Sequence, residues 1–209
     1  DVFRLAQVFT ISRGSRTEAR VLTVRVTRAG VTGWGECVPY ARYGETPKSV
    51  TAQIEGLPER FTRTELQELL PAGAARNAVD CALWDLEAKR AGRRVWDLAG
   101  LAAPRPEVTA YTLSLDTPEA MREQAAKNAR RPLLKIKLGG EGDMARLEAV
   151  RAGAPRSRIV VDANEGWTAD IYAGLAPALV RLGVELVEHG VQFGLAVVDE
   201  AAEQGIIQP

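Results

Sequence analysis

Residues 133–143 read LLKIKLGGEGD, and the fold turns on how this stretch is read. LLKIKL is a short apolar run that carries two lysines, Lys135 and Lys137. Side chains alternate along a strand, so two residues two positions apart share a face. A strand here therefore sets two ammonium groups side by side. The glycines of GGEGD end the run, and a helix-like segment, Asp143–Gly153, follows. The same grammar recurs on both sides. VTAYTLSL, LLKIKLG, RIVVDAN and VELVEHG begin near residues 108, 133, 158 and 184. Helix-like segments Pro118–Arg130, Asp143–Gly153 and Ala169–Leu182 separate them. Strand–helix alternation at intervals of about 25 residues predicts parallel βα units. A closed barrel of eight such units takes about 250 residues. Four are legible, so this half reads as a smaller open α/β sheet or as a partial (β/α) TIM-type barrel.

The first half has another pattern. VFRLAQVFTIS and EARVLTVRVTRAG read as paired strands, and GVTGWGECVPY continues the sheet after a glycine-containing turn. Helices are expected near Pro47–Phe61 and Ala74–Ala91. In the second, Val79, Leu83 and Leu86 form one apolar stripe. PRPE at 104–107 reads as a linker. The expected division is an α+β domain over 1–106 and a βα domain over 107–209.

Composition narrows the partners. Lys plus Arg and Asp plus Glu both number 27, for a formal net charge of zero, which argues against nucleic acid or an acidic membrane surface. No apolar run reaches the roughly 18–20 residues that span a bilayer. The opening DVFRLAQVFT has neither a leader-like segment nor an initiator Met, which reads as a trimmed start. Cys37 and Cys81 form no metal-ligand pattern and fit a reducing, cytoplasmic compartment.

Chemistry in βα barrels sits at the C-terminal ends of the strands. The second strand ends with Lys135 and Lys137, the third with Asp162 and Asn164, the fourth with Glu188. Two carboxylates on neighbouring strands suit a hard divalent cation such as Mg²⁺, although each is also suited to capping a helix or meeting solvent. An ammonium group beside a second cation, a metal ion and partial burial loses proton affinity. The reading is that Lys135 tunes Lys137, and Lys137 takes a proton from carbon. The alternative is that both lysines reach out to solvent from a strand end.

These residues resemble the enolase superfamily, whose sites pair a Lys base with Mg²⁺ that stabilises an enediolate. The resemblance rests on KIK at 135–137, VVDAN at 160–164 and ELVE at 185–188, in that order. GWGECVPYARYGET, 33–46, resembles the strand and mobile loop of the capping domain, and ARNAVDCALWDLEAK, 75–89, its long helix. PYARYGET and AYTLS look most like dipeptide epimerases of the L-Ala-D/L-Glu type. The resemblance implies an α/β protein, with an α+β enolase-type capping domain and a partial TIM-type barrel. It implies an isomerase with a dipeptide substrate and Mg²⁺, and leaves a homo-oligomer open. Lys137 would be the acid–base and Lys135 its electrostatic partner. Asp162 and Glu188 would be metal ligands, with Asn164 supporting the metal site. Arg42 and Tyr43 would meet the substrate's side chain. Muconate-type cycloisomerases and succinylbenzoate synthases share the K-x-K and acidic pattern and differ in the loop. A non-catalytic fragment or subunit is the reading from another class.

The sequence also departs from the family. His189 and Gly190 follow Glu188 where the family continues Gln-Pro, and His189 reads as a loop residue. Asp199 and Glu200 follow Glu188 too closely to end another βα unit, and Leu195–Gln204 reads as a helix. The lysines are 48, 89, 127, 135 and 137, so the family's second, opposite-face lysine has no counterpart. The expectation is an incomplete record of a longer epimerase, or a truncated product.

Overall fold

Thr46 and Thr62 show how locally this chain specifies its helices. Each hydroxyl accepts the backbone N–H three residues on, and the side chain at that position reaches back to the threonine's own N–H. Two capping boxes thus start α1 (Pro47–Glu55) and α2 (Arg63–Leu69). The single helix expected over Pro47–Phe61 stops at Gly56, and α2 is an element that the sequence reading did not separate.

The computed structural model describes residues 1–190. Two compact units are resolved: Asp1–Leu5 with Glu18–Pro106, and Ala6–Thr17 with Glu107–Pro209. The tip of the first hairpin, Ala6–Thr17, groups with the second unit. The expected helix Leu195–Gln204, with Asp199 and Glu200, lies outside the described residues.

In the first unit, β3 (Leu22–Arg28) and β4 (Val31–Cys37) form an antiparallel pair joined through the left-handed Ala29 and Gly30. The expected three-stranded continuation is not formed. β1 (Val2–Ile11) pairs with β2 (Gly14–Arg20) as a separate two-stranded sheet. A tight turn at residues 12–13, before Gly14 at φ +136°, folds β1 back onto β2, and a break at Val21 splits the EARVLTVRV run between β2 and β3. Against β3 and β4 packs α3 (Ala74–Ala91), its buried face formed by Ala75, Ala78, Val79, Ala82, Leu83 and Leu86. Gly33 and Gly35 make the close approach feasible. A Cβ on either would lie 2.0 Å from a helix carbonyl oxygen, of Ala82 or Ala78. Lys89 and Arg90 sit in the last turn, and the left-handed Gly92 ends the helix. A short α4 (Val95–Leu98) follows.

In the second unit β5 (Tyr111–Leu113), β6 (Leu133–Lys137), β7 (Arg158–Asp162) and β8 (Val184–Glu188) form one parallel sheet in sequential order. Helices α5 (Pro118–Lys127), α6 (Asp143–Gly153) and α7 (Ala169–Arg181) make the crossovers. This is the βα architecture expected of a partial barrel. Leu134, Ile136, Leu138, Ile159 and Val161 are almost fully buried in a core with Met121, Leu147 and Val150. β8 is an outer strand among the described residues, and its Leu186 is half exposed.

Candidate active site

Parallel pairing sets Lys137 opposite Asp162, and Asp162 opposite Glu188. Registered neighbours in a sheet point to the same side, so the three form one row across the C-terminal ends of β6, β7 and β8. A β-irregularity decides the third member. Ile159 lies opposite Val184, but Val160 lies opposite Leu186, so Glu185 is an extra residue on β8. An unbroken register from Val184 would bring Val187 beside Asp162. The bulge brings Glu188 instead. Glu185 itself forms a bidentate pair with Arg158.

Both lysines converge on one oxygen. Lys137 Nζ donates to Asp162 Oδ2 at 2.6 Å, and Lys135 Nζ lies 3.0 Å from the same atom. Lys135 also donates to Glu188 Oε2. The other oxygen, Asp162 Oδ1, accepts the Asn164 N–H at 2.9 Å. Lys137, Asp162 and Asn164 are all more than nine-tenths buried. For Lys135, burial works against the ammonium form, but hydrogen bonds and charge from Glu188 and Asp162 outweigh it, and the pKa is raised. Burial likewise opposes ionisation of Asp162, yet Lys137, Lys135 and the Asn164 N–H hold it below the usual carboxylate range. Lys135 is thus held in its charged form by the two carboxylates beside it.

The turns beyond the strands are tightly tied. Ala163 N–H donates to Glu188 O, Glu165 N–H to His189 O at 2.7 Å, and Trp167 N–H to Gly190 O. Asn164, Glu165 and His189 all have positive φ, at 48°, 64° and 44°. The Asn164 carbonyl accepts from Arg13 at 2.6 Å and from Ser12 at 3.1 Å. Arg13 and Ser12 belong to the hairpin tip, and Thr10 of the same tip bonds Ser114. No sequence period marks these supports. The LGGEGD loop is held by Asp143, a buried carboxylate that accepts from Gly139 and Gly140 N–H, from Trp167 Nε1 at 2.7 Å and from Arg146 at 2.9 Å. A signal for it exists in retrospect: a carboxylate at the start of a helix, just after two glycines.

Oxygen atoms of Asp162 and Glu188 and a ring nitrogen of His189 lie within 4.8 Å of one another. Ligands on opposite sides of an octahedral Mg²⁺ are about 4.2 Å apart. The three side chains therefore have to draw together to close on such an ion, and the two carboxylates are the hard donors that it takes. Asn164 Oδ1, buried and without a hydrogen-bond partner, is a further neutral oxygen beside it in the chain. The other two candidates, Arg42 and Tyr43, lie in a 3₁₀ turn, Ala41–Tyr43, of the first unit. Tyr43 is largely exposed and its ring meets that of Tyr40 edge-on at 5.6 Å. Glu45 fastens this turn by accepting the N–H of Tyr40 at 2.9 Å and of Ala74 at 2.7 Å.

Residues 1–100 match the family described as mandelate racemase / muconate lactonizing enzyme, N-terminal domain. The L-Ala-D/L-Glu epimerase of Escherichia coli (strain K12) is 44% identical over 207 residues, 96% of this chain and 63% of that protein. Among solved structures, an enolase family member from Agrobacterium tumefaciens with homology to dipeptide epimerases, with bound sodium and L-Ala-L-Glu, is similar at a TM-score of 0.89. It is 48% identical over all of this chain and 64% of that one. A dipeptide epimerase from Enterococcus faecalis V583, complexed with Mg and L-Leu-L-Tyr, has a TM-score of 0.83 and 28% identity, over 92% of this chain and 59% of that one. The chain thus spans about three fifths of the length of these relatives.

Proposed function

We propose that the chain is a member of the enolase superfamily and that it carries one acid–base face and the first metal ligands of a Mg²⁺-dependent dipeptide epimerase of the L-Ala-D/L-Glu type. The observation that carries the proposal is the row Lys137–Asp162–Glu188, with Lys135 on the same Asp162 oxygen. The relatives support the substrate class: one is named an L-Ala-D/L-Glu epimerase, one holds L-Ala-L-Glu, and one holds Mg with a dipeptide. Residues 1–106 then act as the capping domain and 107–209 as the barrel domain, with the hairpin tip supporting the latter.

The geometry supports the following roles. Asp162 and Glu188 would hold Mg²⁺, and Asn164 would support them. When bound, the ion supplies positive charge to the substrate carboxylate while the α-proton leaves. Lys137 takes and returns that proton. Its side chain is the more enclosed of the two lysines, at 10% against 21% exposed, which limits competition from water. Lys135, held protonated by its two carboxylates, serves as a fixed charge rather than as the base. Arg42 and Tyr43 meet the substrate's side chain. The location is cytoplasmic, in keeping with two cysteines free of any disulfide; among the described residues no helix is long and apolar enough to cross a membrane.

The test is to incubate the chain with Mg²⁺ and L-Ala-L-Glu in ²H₂O and follow the α-proton by NMR. Metal-dependent incorporation of deuterium is expected. Turnover of a muconate or a succinylbenzoate precursor, with the dipeptide left untouched, would overturn the substrate assignment.

A further inference from the structure

His189 was expected to be an ordinary loop residue, yet its Nδ1 lies 3.7 Å from Asp162 Oδ1. In a strand continuing straight on from Glu188, residue 189 would point to the opposite face. The left-handed φ of +44° reverses this. That conformation is uncommon for a residue other than glycine. The backbone around it is pinned on both sides, by Glu165 N–H on His189 O and by Trp167 N–H on Gly190 O. Among the described residues, Asp162, Glu188 and His189 form the one group of three ligand side chains within reach of a common ion. The His189 side chain is 65% exposed, so its ring is free to swing the last distance inward.

We propose that His189 is a third, nitrogen ligand, which makes this a mixed Asp–Glu–His site that favours a borderline divalent ion such as Co²⁺, Mn²⁺ or Zn²⁺ over Mg²⁺. This rests on the assignment of Asp162 and Glu188 as metal ligands above. Mg²⁺ prefers oxygen and keeps its waters, whereas imidazole suits the first-row transition ions, whose affinities rise along the series toward Cu²⁺. Exchanging one oxygen donor for an imidazole therefore raises the affinity of the second group relative to the first.

The probes are the chlorides of Co²⁺, Zn²⁺ and Mg²⁺, titrated calorimetrically into the 209-residue chain, with the visible spectrum of the Co²⁺ form as a second readout. His189→Asn keeps a residue that tolerates positive φ and removes the imidazole. His189→Ala removes both. Both variants are expected to lose Co²⁺ and Zn²⁺ affinity by about tenfold or more, to change the Co²⁺ spectrum, and to leave Mg²⁺ affinity within about twofold. Unchanged Co²⁺ affinity and spectrum in both variants would overturn the histidine ligand and leave the two-carboxylate site standing. Asp162→Asn separates the two readings: divalent-ion binding that survives it unchanged, or no binding to the unsubstituted chain, would overturn both.

Discussion

Lys137 Nζ and Asp162 Oδ2 are 2.6 Å apart across adjacent parallel strands, and the two residues are direct register partners. The ion pair is nearly dry, with side chains 10% and 3% exposed. Asp162 also pairs with Lys135, which it shares with Glu188. Removing one partner of a buried pair leaves an uncompensated charge, which costs about 3–5 kcal/mol. Asp162→Ala is expected to destabilise the second unit by that order. Glu188→Ala, at a side chain 34% exposed, is expected to cost clearly less. Urea unfolding of both variants checks the order; equal losses would mean that solvent already screens Asp162.

Asp143 is a second buried carboxylate, with donors from Gly139, Gly140, Trp167 and Arg146. It ties the loop after Lys137 to the loop after Asp162. Asp143→Ala orphans buried N–H groups, each costing about 1–3 kcal/mol. The expected signature is faster amide hydrogen exchange at 139–140 together with a lower unfolding midpoint. Unchanged protection there would show that the loop is held by other means.

Acid should loosen the Ala41–Tyr43 turn through Glu45. The N–H groups of Ala74 and Tyr40 lower its pKa below the ordinary 4.5. A folded pKa below the unfolded one gives stabilisation that is fully present above the unfolded value and is lost as pH falls through the folded one. The melting temperature of Glu45→Gln should therefore trail that of the unsubstituted chain at pH 6 and converge with it only as the pH falls from 4.5 through the lowered folded value. A gap that stays constant through that window would assign the effect to shape rather than charge.

Much of this was legible because it is local. Gly92, and the glycines at 139, 140 and 142, punctuate the sequence where α3 ends and α6 begins, and both helices match expectation to the residue. The candidate ligands stand out as charged residues closing apolar strands. Three features were not legible, each for a physical reason. The bulge at Glu185 is a choice of register between strands, and either register satisfies the apolar pattern until β8 is docked. The hairpin tip's alliance with the second unit runs through single hydrogen bonds from Thr10, Ser12 and Arg13, which leave no period. The inward turn of His189 depends on one backbone angle. By contrast, the capping box of Thr62 and Glu65 is a local signal that marks the start of α2.

The last prediction concerns stereochemistry. Inverting an α-carbon requires a proton to leave one face and return to the other. The proposed base, Lys137, serves one face, and no lysine follows it within these 209 residues. His189 cannot serve the other face, because it is adjacent to Glu188 and close to Asp162 on the ligand side. The chain as given is therefore expected to exchange the α-proton of L-Ala-L-Glu with solvent deuterium at least about 10²-fold faster than it inverts the centre, since a positioned acid–base group contributes about 10²–10⁴-fold. Lys137→Ala should lower exchange by a similar factor. NMR of deuterium content, read alongside polarimetry of the same sample, separates the two rates. Inversion keeping pace with exchange would place a second acid–base group within these residues, and exchange surviving Lys137→Ala would remove the role assigned to the first.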